Sequence, residues 1–115
     1  MSEFSQKYQS LKSKKEIADL FSTGEKTKQG TILMLYKASE SENKVAFSVK
    51  KKDFKKAVDR NRIKRLMKES FRLNQNELEK NYVLFFIHLG QTKHPYSYYH
   101  QKIKELLTRL NENQL

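Results

Sequence analysis

Residues 50–72 read KKKDFKKAVDRNRIKRLMKESFR, and the rest of the chain is best read outward from them. The stretch holds eleven Lys or Arg and three acids (Asp53, Asp59 and Glu69), a net charge of +8, whereas the whole 115-residue chain carries +11. Charge is therefore concentrated. Solubility does not need that concentration; a polyanion-binding face does. From Ile63 the apolar residues fall at Ile63, Leu66, Met67 and Phe71, the spacing of one buried helical stripe. At about 100° per residue, Asn61, Lys64, Arg65, Lys68 and Arg72 fall on the opposite side. The spacing predicts a helix over 57–74 with one buried face and a basic ladder on the other. Arg60 and Arg62 lie near its start, where free amides and the helix dipole favour an anion. An ordinary amphipathic helix also has a charged outer face, but it intersperses acids that are nearly missing here. RNA or DNA binding is the stronger reading.

Just upstream, 44–51 reads as a strand in which Val45, Phe47 and Val49 alternate with Ala46, Ser48 and Lys50. The first set belongs in the core. The second is small or polar and leaves a sheet face that is either a usable groove or simply solvated. A preceding strand at 31–37 (TILMLYK) is joined to it by SESEN at 39–43, a link short enough to predict a hairpin. Further back, Ser13 and Glu16 form a capping box for a helix over 14–23, with Ile17, Leu20 and Phe21 on its apolar face and Gly24 placed for a left-handed cap. Residues 1–12, with Phe4, Tyr8 and Leu11 scattered among polar neighbours, read as an extended arm.

Downstream, 82–89 (YVLFFIHL) is a continuous apolar run, as expected of a buried central strand. Ser97 is placed to cap a last helix over 98–111, with Tyr99, Ile103, Leu106, Leu107 and Leu110 on one face. The order α-β-β-α-β-α predicts an α+β fold, a two-layer α/β sandwich with helices on a small sheet. One domain over 1–115 is the natural count at this length. No apolar run is long enough to span a bilayer and no apolar signal segment follows the start, so a cytoplasmic location and no membrane partner are expected. The chain has no Cys, which excludes disulfides and thiolate metal sites.

Catalytic chemistry is not apparent. His88, His94 and His100 recur at six-residue intervals, which is not a helical metal-ligand spacing. His88 reads as structural, and His94 and His100 as ordinary loop and helix-surface residues. The acids are scattered, although Asp53 or Glu69 is a weak candidate to hold Mg²⁺ near a bound RNA. Phe21 and Tyr36 either stack on unpaired bases or lie in the core.

The run from Val49 to Arg65, VKKKDFKKAVDRNRIKR, followed by LMKESFR, resembles the signature of the bacterial ribonuclease P protein subunit. Its centre is Arg-Asn-Arg and then, after one residue, Lys-Arg, preceded by a strand ending in paired lysines. The SKKEIADLFSTG helix at 13–24 and the element order also fit. The resemblance implies a protein that binds a large catalytic RNA and the 5′ leader of precursor tRNA. It promotes endonucleolytic removal of the leader, while the RNA does the chemistry with Mg²⁺. It implies that this chain itself supplies no catalytic residue and no tight metal site, and needs no stable protein partner. It also implies a left-handed βαβ crossover, which the general rule would not predict. By position, Lys51, Lys52, Lys55, Lys56, Arg60, Asn61, Arg62, Lys64, Arg65, Lys68 and Arg72 correspond to RNA-binding residues. Ile17, Phe21, Tyr36, Ala46, Ser48 and Lys50 correspond to the leader groove. Ala46 stands where Gly is usual, Lys50 where Ser or Ala is usual, and Lys68 where Arg is frequent. Ile17 takes a position that is aromatic in some relatives.

Overall fold

The structure, a computed structural model, describes residues 8–112; Phe4 lies outside them. Ser13 begins the first helix as the sequence predicts, its Oγ accepting from the Glu16 amide at 3.2 Å. Glu16 does not complete the box but turns to Lys44 Nζ, 3.0 Å away. The helix, α1, runs Lys14–Thr23. Gly24 is not a left-handed cap: its φ is −75° and its ψ 167°. What requires glycine there is space. A Cβ would lie 2.5 Å from the Leu20 carbonyl oxygen and 3.2 Å from that of Tyr36.

The α+β class holds, with three helices on a five-stranded sheet. Two strands join the three expected, β1 (Tyr8–Ser10) before α1 and β2 (Glu25–Gln29) after it. They are followed by β3 (Ile32–Ala38), β4 (Asn43–Val49), α2 (Ala57–Asn74), β5 (Tyr82–His88) and α3 (Tyr96–Glu112). The last helix starts earlier than predicted, so Ser97 lies within it and does not cap it. The hairpin expected between β3 and β4 is not formed either. The sheet order is β1-β4-β5-β3-β2, and β5 sits between them, parallel to β4 and antiparallel to β3. An apolar strand gains more by burial on both sides than the more polar β4 would at the sheet's centre.

One sheet face carries Ile32, Met34, Val45, Leu84 and Phe86, packed against Ile63, Met67 and Phe71 of α2 and Ile103, Leu106 and Leu107 of α3. Phe86 stacks on Phe47 with centroids 5.5 Å apart. The α2 stripe thus lies where the spacing placed it. The other face is smaller: Leu35, Ala46, Val83, Phe85 and Ile87 meet Leu11, Ile17 and Leu20. Each buried Leu, Ile or Phe side chain stabilises by roughly 1.5–3 kcal/mol.

This topology forces an unusual crossover. Strands β1, β4, β5 and β2 all point one way, and only β3 opposes them. Passing from β4 to β5 through α2 and from β1 to β2 through α1 moves the same way across the sheet. The two helices lie on opposite faces. The two crossovers therefore have opposite hands, and one of them is left-handed against the general preference.

Candidate nucleic-acid interface

The loop from Lys50 to Lys56 links β4 to α2 and carries five lysines, all exposed. It is a turn with a buried root. The Lys50 carbonyl accepts from the amides of Asp53 at 3.1 Å and Phe54 at 3.2 Å. Phe54 is buried, its ring edge-on to His88 at 5.6 Å. Lys51, Lys52, Lys55 and Lys56 are thereby held outward while the chain path beneath them is fixed. Lys56 also precedes α2 and makes no side-chain cap hydrogen bond, so its side chain leaves the first amides of that helix unpaired.

On α2 the predicted basic residues divide into two groups. Asn61, Arg62, Arg65 and Lys68 are exposed and Lys64 is half-buried. Arg60 and Arg72 are engaged. Arg60 Nη1 donates to the carbonyls of Phe54 and Lys55, both at 2.8 Å. Arg72 grips Glu69 in a two-bonded fork, at 3.0 and 2.6 Å. The hydrogen bond from Arg72 holds the Glu69 carboxyl below its ordinary range. Asp59 pairs with Lys93 at 3.1 Å. Two of the three acids in the stretch are thus matched by cations, and Lys93 adds a basic group from the loop after β5. Its place beside α2 arises from tertiary packing and has no signature in the sequence.

On the opposite side of the sheet, Ala46 and Ser48 are half-buried and face the layer of α1, and β4 then leads into exposed Lys50. Two ion pairs fix α1 over this face, Lys44–Glu16 at 3.0 Å and Lys37–Asp19 at 2.7 Å. Ile17 is packed against the face. Phe21 rests edge-on against Phe85 yet remains 53% exposed. Phe21, Ala46 and Ser48 thus share one side of the sheet, and Lys50 follows at the end of the strand. Tyr36 does not join them. It has the strand parity of Ile32 and Met34, so it faces the layer of α2 and α3. There it packs against Tyr82 at 6.5 Å and its hydroxyl donates to Glu25 at 3.4 Å. It lines a separate cavity of about 550 Å³ with Thr23, Lys37 and Leu110. The parity of β3, read against Met34, was the signal that would have excluded Tyr36.

Two of the three histidines, His94 and His100, are more enclosed than their sequence context suggested. His88 is fully buried, as a structural residue should be. His94 stacks on Tyr98 with centroids 3.7 Å apart. His100 Nδ1 lies 3.2 Å from the Tyr96 hydroxyl and 3.4 Å from Asn74 Nδ2. Neither of these two is an ordinary surface group. Among the described residues, no three His, Asp or Glu side chains converge into a cluster that could enclose a metal ion by themselves. Glu69, suggested for Mg²⁺, has its carboxylate bonded to Arg72, so the donor set does not fit that ion.

Residues 5–111 match the family profile described as Ribonuclease P. The ribonuclease P protein component of Nitrosococcus oceani is 34% identical over 83 residues, 71% of this chain and 70% of that protein. That of Chlorobaculum tepidum is 43% identical over 74 residues, 58% of this chain but only 48% of the relative, so the match spans about half of that protein's length. The RNase P protein from Thermotoga maritima superposes with a TM-score of 0.78 at 21% identity, covering 88% of this chain and 96% of that one. At that identity the superposition speaks to the fold.

Proposed function

The chain belongs to the ribonuclease P protein family, and we propose on that footing that it is the protein subunit of a ribonucleoprotein endonuclease that removes the 5′ leader from precursor tRNA. The RNA subunit carries out the cleavage, with Mg²⁺. This chain binds that RNA and the leader. It acts as one RNA-binding domain in the cytoplasm without a stable protein partner; among the described residues, no helix is long and apolar enough to cross a membrane.

The observation that carries this reading is the arrangement of exposed groups around β4. The strand's end leads directly into Lys50, Lys51 and Lys52, and α2 continues with exposed Arg62, Arg65 and Lys68. Ala46, Ser48 and the open ring of Phe21 lie on the other side of the same sheet. The lysine loop and the outer side of α2 neutralise phosphates of the catalytic RNA. The trough beside α1 takes the leader as an extended single strand, with Phe21 offering a stacking surface. Holding the leader away from the scissile bond improves alignment without supplying a reactive group. Leader length tests this. Binding of precursor tRNA to the assembled particle should weaken when the leader is cut to one or two nucleotides, and equal binding would refute the trough.

A further inference from the structure

We propose that Arg60 is a positioning residue that sets the shape of the lysine loop, and is not itself an RNA contact. The inference rests on the RNA-binding reading above and assigns a different task to one residue within it. The loop from Lys50 to Lys56 concentrates five positive charges around one acid, Asp53. Mutual repulsion favours an open, solvated path. Two anchors oppose it: Phe54, buried against His88, and the Arg60 guanidinium. A single nitrogen, Nη1, bridges two successive carbonyls, those of Phe54 and Lys55, at 2.8 Å each.

That geometry suits arginine in particular. Its planar, permanently charged fork presents N–H groups in fixed directions, whereas a lysine ammonium is a point charge on a flexible stem. The placement also accounts for a cation near the start of α2, where the helix dipole disfavours one; the two carbonyls compensate. Arg62 and Arg65 differ. Both are exposed, and neither makes a side-chain hydrogen bond or ion pair among the described residues. Alternate arginines of one motif thus divide the work: Arg60 grips backbone, and Arg62 and Arg65 are available to phosphate.

The test compares Arg60→Lys, Arg60→Ala and Arg62→Ala, each first shown to keep the native circular dichroism. Hydrogen exchange at the amides of Asp53 and Phe54, which close the turn, is measured in the free protein. Affinity for a transcribed ribonuclease P RNA is measured across a salt series. Both Arg60 variants should exchange those amides at least about tenfold faster, since even one of the two charge-assisted hydrogen bonds lost is worth that much. They should weaken RNA binding alike, with the salt slope nearly that of the parent. Arg62→Ala should leave exchange alone and lower the slope by about 0.7–0.9, as one lost phosphate contact does. Parent-like affinity in Arg60→Lys overturns the proposal, because charge alone then suffices. So does unchanged exchange in both Arg60 variants, or a slope lowered in Arg60→Ala as in Arg62→Ala. A parent chain that fails to bind the RNA defeats the functional reading itself; faster exchange would then leave Arg60 a clamp with no RNA to serve, and the positioning role would fall too.

Discussion

The ring of Phe21 stands edge-on to that of Phe85, centroids 5.4 Å apart and planes at 78°, and fixes the orientation of an aromatic surface that stays half open to solvent. An exposed ring in fixed orientation is a stacking platform. Phe21→Ala should therefore weaken binding of leader-bearing precursor tRNA by about 1–3 kcal/mol, the usual range for one stacked base. It should leave binding of mature tRNA nearly unchanged. Equilibrium binding of the two RNAs to the assembled particle reads the difference, and equal losses for both would remove Phe21 from the trough.

Arg65 lies exposed on the outer side of α2. Its replacement by alanine should reduce the slope of log affinity against log salt by about 0.7–0.9 for one phosphate contact. Thermal stability should shift little, since exposed substitutions usually stay within about 0.5 kcal/mol. A salt titration of RNA binding together with a melting curve checks both parts.

Gly24 is required by space. Because a Cβ would meet the Leu20 carbonyl at 2.5 Å and the Leu20 side chain at 2.6 Å, Gly24→Ala must distort the last turn of α1, which carries Phe21, and the path from it into β2. Overpacking of this kind costs about 1–3 kcal/mol. Urea denaturation should show that loss, and leader binding should fall with it because Phe21 moves with the helix.

His88 should make stability depend on pH. Burial lowers its pKa below the ordinary value, and the neighbouring His94 lowers it further; the Asp53 carboxylate and the backbone of Gly90 and Thr92 pull the other way. The unfolded chain therefore takes up a proton at about pH 6.5 that the folded chain refuses. The stabilisation is complete above that pH and is lost as pH falls from there through the folded pKa, by at most about 1.4 kcal/mol per unit. His88→Phe should flatten this part of the profile. Asp19, Glu69 and Glu105, all lowered, act in the more acidic carboxylate range, so the windows separate in a denaturation series across pH.

The elements with strong periodicity were legible in advance. The α2 stripe of Ile63, Met67 and Phe71, the Ser13 cap and the apolar run of β5 each carry their own local signal. What escaped depends on partners distant in sequence. Strand β2 reads EKTKQ, with no apolar alternation, because an edge strand keeps charge to deter further pairing. It is held by its antiparallel pairing with β3 and by Arg109, which donates to Thr27 Oγ1 and the Lys28 carbonyl from far along the chain. The short link between β3 and β4 suggested pairing, but β5 takes the place between them. Within the candidate interface, the exposed members of the basic set were recognisable from helical spacing. The commitments of Arg60 and Arg72 and the arrival of Lys93 beside Asp59 were not, since they depend on where carbonyls and carboxylates end up.

The most direct test of the central claim is reconstitution with a transcribed ribonuclease P RNA, assaying precursor-tRNA cleavage at low Mg²⁺ with and without this chain. The account predicts little cleavage by either component alone and efficient release of the intact 5′ leader when both are present. Cleavage that is unchanged by adding the chain, or cleavage by the chain with no RNA subunit, would contradict it.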